Sequence, residues 1–267
     1  MRYILPLKRN SVFADYSPTK GDTHTVFDGC FMFNGRVVWH STVQFLRLMP
    51  ERPKGRGPTL DPAHSVLVVV DVENEFVKPG GKMYPETLKG QERTRKFVSR
   101  IQKFVQRCRE NNLRIIFIDS IRSADAPESR VFGRYQRLLE GTWHSAIIDE
   151  IKPLPTEMVV PKRCHDCFVA PLMEKTLEEM AIRPLVDTVI VTGGANGGCA
   201  YDAIIGFTQR YYRVVVPVDC TYGSEEGEKF LMEQMADPAY SYMTTLADSE
   251  SIRFEPAAIH VEATGAH

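Results

Sequence analysis

Residues 65–71 read Ser-Val-Leu-Val-Val-Val-Asp, five consecutive aliphatic residues closed by a carboxylate. A strand with one wet face alternates apolar and polar residues. An unbroken apolar run belongs to a strand covered on both faces, as in a sheet flanked by helices. The segment that follows has another period: between 86 and 112, apolar side chains fall at Phe97, Ile101, Phe104, Val105 and Cys108, the spacing of a helix with one buried stripe. Further strands are predicted at 114–119 (RIIFID), 157–161 (EMVVP), 187–192 (DTVIVT) and 212–219 (YRVVVPVD), separated by segments of helical length. This alternation predicts an α/β chain of three layers around a mostly parallel sheet. Ligands of such sheets gather beyond the carboxyl ends of the strands. Priority therefore goes to Asp71, Asp119, Lys162, Gly193 onward and Asp219, which close the runs.

Outward from this core the pattern thins. Residues 1–60 read as an N-terminal extension. Phe31-Met32-Phe33, Asn34-Gly35 and Arg36-Val37-Val38-Trp39 predict a β-hairpin, because Asn-Gly supplies the positive φ angles of a tight two-residue turn. The stretch from Pro50 to Pro62, rich in Pro, Gly and Arg, reads as a linker, which leaves 61–267 as the main domain. The 267 residues are 43% hydrophobic and carry 33 Lys and Arg against 34 Asp and Glu, for a net charge of -1. That balance gives no electrostatic reason to expect nucleic acid or a membrane surface as partner, and a small uncharged substrate fits better. Pro6 and Lys8 interrupt the start before a signal-peptide core forms, and no apolar run approaches membrane-spanning length, so a cytoplasmic chain is expected. Its six cysteines are then expected to be reduced.

The segment Gly193-Gly194-Ala195-Asn196-Gly197-Gly198-Cys199-Ala200 follows an apolar strand and opens an amphipathic helix. Three readings are open for it. A thiol in the first turn of a helix feels unpaired N–H groups and the positive dipole end, which favour the nucleophilic thiolate, and the same N–H groups could hold an oxyanion. Alternatively Cys199 is a small buried residue beside packing glycines. The third reading, a dinucleotide fingerprint, is weakened by Ala195 where close pyrophosphate approach needs glycine. With Asp71 to move a proton and Lys162 to stabilise negative charge, Cys199 completes the set that acyl transfer through a covalent intermediate requires. Taken singly, Asp71 also suits a helix cap or turn, and Lys162 a snorkelling surface lysine. Cys164-His165-Asp166-Cys167 is a lone CxxC without a second ligand pair, and the histidines form no Asp-x-His or Glu-x-x-His group, so neither metal nor cofactor is expected.

These residues resemble a known family. Val70-Asp71-Val72-Glu73-Asn74-Glu75-Phe76 is similar to the V-D-x-Q-N-D-F opening of the isochorismatase-like cysteine hydrolases, Lys162 to Phe168 to their K-x-x-x-[SD]-x-F segment, and Gly193 to Cys199 to their G-x-x-T-x-x-C turn. Gly141-Thr142-Trp143 followed by Ile147 to Leu154 resembles the metal-free amidohydrolases of that superfamily, such as ureidoacrylate amidohydrolase, biuret hydrolase and N-carbamoylsarcosine amidohydrolase. The resemblance spans about 64 to 254 and implies a three-layer Rossmann-like fold, a Cys199–Asp71–Lys162 triad, and an oxyanion hole from the N–H groups of Ala195 and Cys199. It also implies a cis peptide at Gly194–Ala195 and a homo-oligomer. The chain departs from the pattern at Glu73 and Glu75, where Gln and Asp are usual, and at Asn196, where Thr is usual.

The resulting expectation is a metal-free hydrolase of a small amide, ureido or carbamoyl compound, with Phe76 and Trp143 walling the pocket or packing in the core. Two alternatives stand beside it: isochorismatase-type ether hydrolysis, which needs no cysteine nucleophile, and a catalytically weak binding or regulatory protein on the same scaffold.

Overall fold

The computed structural model describes residues 57–126 and 138–256, together with the backbone of two short strands nearer the N-terminus. Those strands, β1 (Cys30–Phe33) and β2 (Arg36–Trp39), pair antiparallel with Phe33 opposite Arg36 and Cys30 opposite Trp39, the hairpin expected around Asn34-Gly35. They belong to one unit, Met1–Met49; the rest of the description concerns the second, Pro50–His267.

In chain order the second unit contains β3 (Thr59–Leu60), β4 (Ser65–Val70), α1 (Asn74–Val77), α2 (Leu88–Glu110), β5 (Arg114–Ser120), β6 (Met158–Lys162), α3 (Leu172–Glu179) and β7 (Thr188–Gly194). It continues with α4 (Cys199–Thr208), β8 (Arg213–Pro217), β9 (Thr221–Tyr222), α5 (Glu225–Ala236), α6 (Pro238–Ser241), β10 (Thr244–Ala247) and β11 (Arg253–Phe254). Seven strands form one parallel sheet in the order β10-β8-β7-β4-β5-β6, with β9 paired to the end of β7. From β4 the chain builds outward through β5 and β6 on one side, then returns to build β7, β8 and β10 on the other. The crevice where the winding reverses lies beyond the carboxyl ends of β4 and β7, which is where such sheets hold ligands.

The apolar strands fill both faces because successive side chains point to opposite sides. Val66, Val68 and Val70 of β4 pack with Ala203, Ile204 and Phe207 of α4 and Met173 and Leu177 of α3. Leu67 and Val69 face the other layer, formed largely by Phe97, Ile101, Phe104, Val105 and Cys108 of α2, the stripe the sequence spacing identified. Helix α2 begins where the Thr87 side chain caps the Gly90 N–H at 3.1 Å. Among the described residues no helix is long and apolar enough to cross a membrane.

Two expectations need correcting. The stretch read as a linker contributes structure at its end, since β3 pairs in parallel with β11 and Leu60 is buried. Asp219 does not close a strand: β8 stops at Pro217, and a 3-10 turn carries Asp219 to the Ser249 loop. There its carboxylate accepts from the Ser249 N–H and hydroxyl, both at 2.7 Å, a structural role.

Candidate active site

Three of the strand ends converge. Asp71 directly follows β4, Lys162 is the last residue of β6, and Cys199 is the first residue of α4, five residues beyond the end of β7. The Lys162 ammonium lies 2.8 Å from Asp71 Oδ2, with both side chains at most 3% exposed, and also donates to the Cys164 carbonyl at 3.0 Å. The Cys199 thiol is within hydrogen-bonding reach of both Asp71 and Lys162. This burial leaves no room for the reading of Lys162 as a snorkelling surface lysine.

The backbone explains why these residues meet. Asp71 sits in the left-handed region at φ 49°, a conformation that costs a non-glycine residue free energy and is held here by its neighbours. Its N–H donates to the Ile118 carbonyl at 3.0 Å, and its own carbonyl accepts the Tyr222 hydroxyl at 2.5 Å. On the facing strand Gly193 has φ 93°, and a Cβ there would fall 2.0 Å from the Val70 carbonyl oxygen. A Cβ on Gly194 would fall 2.4 Å from the Tyr222 ring, so glycine at both positions lets β7 close against β4 and β9. The peptide Gly194–Ala195 is cis, as the resemblance implied. The Ala195 carbonyl then accepts from the Gly198 and Ala200 N–H groups at 2.9 and 3.2 Å, which folds the turn into the start of α4. The Cys199 N–H, at the head of that helix, has no acceptor within it.

The electrostatics differ from the sequence reading in one respect. The helix start was expected to favour a thiolate at Cys199. Burial instead pushes the thiol up to about 12, the Asp71 charge adds to this, and the Lys162 ammonium works against it. Burial disfavours the Lys162 charge, but Asp71 and Cys199 outweigh it and raise the ammonium above the ordinary lysine range. The resting arrangement is therefore a neutral thiol beside a carboxylate–ammonium pair, with the proton acceptor already in contact.

Cys164 to Cys167 form the turn that presents Lys162. The Cys164 thiol donates to the Asp166 carbonyl at 3.2 Å, and Asp166 Oδ1 accepts the Phe168 N–H at 2.8 Å. Phe168 enters the core, its ring edge-on to Phe207 at 5.0 Å. Among the described residues no group of three or more His, Cys, Asp or Glu side chains is placed to hold a metal ion.

A cavity of about 420 Å³ opens beside Ala195, lined in part by Phe76, Met83, Pro85, Tyr222 and Glu226. Trp143 is not among the lining residues; its half-exposed ring packs over Gly80 and edge-on to His144 at 5.2 Å. A second cavity, about 430 Å³, lies on the Lys162 side and includes Ile121, Glu140, Cys164 and Asp166.

Sequence reasoning missed three groups. Tyr222 lies in a two-residue strand without a periodic signal. Glu73, fully buried, contacts Asp119, which the sequence did single out as a strand end, beside Asp71. Asn196 is buried with neither amide atom hydrogen-bonded among the described residues. Glu73 and Asn196 did stand out as departures from the family pattern, the one signal available for them.

The isochorismatase domain matches residues 65–248 of this chain. Solved structures with the same fold include N-carbamoylsarcosine amidase from Thermoplasma acidophilum, at 24% identity and TM-score 0.56 over 70% of this chain and 96% of that one. A cysteine hydrolase from Pseudomonas syringae pv. phaseolicola matches at 18% identity and TM-score 0.60 over 73% and 95%. A nicotinamidase from Bacillus subtilis matches at 16% identity and TM-score 0.57 over 69% and 99%.

Proposed function

The chain belongs to the isochorismatase family of hydrolases, and from that premise we propose that it cleaves a C–N bond of a small amide, ureido or carbamoyl compound through a thioester on Cys199. The observation that carries this reading is the buried Lys162–Asp71 pair at 2.8 Å with the Cys199 thiol against it. A carboxylate in contact with a neutral thiol is a general base with its proton already in reach.

In the proposed sequence Asp71 accepts the Cys199 proton as sulfur attacks the carbonyl carbon. The negative charge that develops on oxygen meets the N–H groups of Ala195 and Cys199, which come from the same turn and the head of α4. Lys162 holds Asp71 in position and balances the added charge. Collapse breaks the C–N bond, and the departing nitrogen takes the proton from Asp71, leaving as ammonia or an amine. Water then gives a proton to Asp71 and its oxygen attacks the thioester; return of that proton to sulfur releases the acid and restores the thiol.

The amidases among the solved neighbours support C–N cleavage over ether cleavage, as does the presence of a cysteine at the helix head. The cavity beside Ala195 would take the substrate, with Phe76 as an apolar wall. The test is ammonia release from a panel of primary amides, ureido acids and carbamoyl compounds by the full chain. Turnover of at least one compound class that is lost in Cys199→Ala supports the proposal. Turnover of a vinyl ether that survives Cys199→Ala would transfer the reading to ether hydrolysis.

A further inference from the structure

We propose that Glu73 and Asp119 share a single proton as a buried acid pair, and that this pair is a positioning device which sets the charge around Asp71 and Lys162. Glu73 is fully buried two residues beyond Asp71. A short antiparallel bridge to Ile147 holds it, flanked by Asn74 N–H to the Ala146 carbonyl at 3.0 Å and Ile148 N–H to the Val72 carbonyl at 3.1 Å. Glu73 Oε1 accepts the Ser120 N–H at 2.7 Å. Glu73 Oε2 and Asp119 Oδ1 have no donor among the described residues, although both are buried and the two carboxyls are in hydrogen-bonding contact. Two carboxylates offer only acceptors to each other, whereas an acid and a carboxylate make a bond with one proton. One proton therefore supplies the missing donor.

The charged and titratable groups facing the pair come from three directions, Asp71 at the end of β4, Lys162 at the end of β6 and Tyr222 on β9. Arg122, just past β5, donates from Nη1 to the Lys162 carbonyl at 3.4 Å. Lys162 is already bonded to Asp71, so a second ionised group in the pair would add an uncompensated buried charge. Consistent with this, burial first, then Asp71 and Asp119, hold Glu73 in its acid form well above the usual carboxylate range. Asp119 is raised to about 6 by burial, opposed by the Glu73 hydrogen bond, with Asp71 adding and Lys162 opposing. A protonated Glu73 offers one acceptor and one donor, as a glutamine amide does, which gives a physical reason why Glu can stand where the family pattern has Gln.

The consequence is a titratable element beside the triad. Loss of the shared proton places a second negative charge near Asp71, divides Lys162 among three carboxylates, and disfavours thiolate formation at Cys199. This consequence rests on the triad reading above; the proton itself does not.

Infrared difference spectroscopy of the full chain at neutral pH tests the proton directly. The expected result is a protonated-carboxyl stretch that shifts in deuterated buffer and is lost in Glu73→Gln. Asp119→Asn, which keeps the shape of the other partner, is a second variant should the first fail to fold, and it should shift the band, because the Glu73 acid then faces an amide instead of a carboxylate. Absence of the band in the unsubstituted protein, or an unshifted band in both variants, overturns the pair. Iodoacetamide alkylation of Cys199 followed by mass spectrometry across pH then tests the coupling. The rate in the unsubstituted protein should show an alkaline inflection at the pH where the band disappears, and Glu73→Gln should abolish it. Identical pH profiles overturn the positioning role even if ammonia release has confirmed the hydrolase, and a lost inflection sustains it even if no substrate is found.

Discussion

Replacing Lys162 with Met keeps most of the stem and removes the charge, which leaves Asp71 buried beside Glu73 and Asp119 without its cation. At the observed 2.8 Å two unit charges attract by about 6 kcal/mol in an effective dielectric of about 20. Desolvation of both groups offsets much of that attraction, but breaking a buried pair one-sidedly leaves the desolvation cost of the survivor. The expected loss of folding stability is therefore about 3–5 kcal/mol. Asp71→Asn removes the orphaned charge, so the double variant should be more stable than Lys162→Met alone, with a coupling of about 2 kcal/mol or more. Denaturant unfolding of the four proteins at neutral pH reads both the loss and the coupling. Additive losses, or a Lys162→Met penalty under about 1 kcal/mol, would refute the view that the two side chains form one buried ion pair.

Three further outcomes follow from the same geometry. Gly194→Ala should cost about 1–3 kcal/mol by overpacking, because its Cβ meets the Tyr222 ring at 2.4 Å and that ring is tied to the Asp71 carbonyl; an unchanged melting temperature would mean the ring is free to move. Asp71→Asn should slow both acylation and hydrolysis of the thioester by about 100-fold or more, since one base serves both steps; a burst of amine release at the normal rate would confine Asp71 to deacylation. Asp119, raised from 3.8 to about 6, contributes stability that is fully present below its unfolded value and is lost as pH rises through about 6. Two pKa units correspond to about 3 kcal/mol, so Asp119→Asn should flatten the stability profile from about pH 4 to about pH 7, and an unchanged slope in urea titrations would contradict the assignment.

The parts of this architecture that the sequence made legible are those with strong local signals. The unbroken apolar run at 65–70 required cover on both faces, and the stripe Phe97, Ile101, Phe104, Val105, Cys108 supplied one of the two layers. The bare turn before Cys199 was readable because few structures other than a tight strand-to-helix junction need so many glycines. What escaped depends on contacts distant in sequence. Tyr222 becomes important only because a parallel ladder sets it under Gly194. The two-residue strands β3, β9 and β11 have no period to detect. At Cys199 the helix position is local and visible, whereas burial and the approach of Asp71, which oppose its effect, come from the sheet. Glu73 and Asp119 lie far apart in the chain, and adjacent strands β4 and β5 bring them into contact.

The central claim, a covalent intermediate on Cys199, is tested most directly by intact-mass spectrometry of the full chain acid-quenched during turnover of an active compound from the amide, ureido and carbamoyl panel. The expected result is a mass increase equal to the acyl fragment, mapped by peptide digestion to Cys199, that accumulates further in a variant slowed in deacylation and is absent in Cys199→Ala. Steady turnover in Cys199→Ala, or an adduct carried by Cys164 or Cys167 instead, would contradict it.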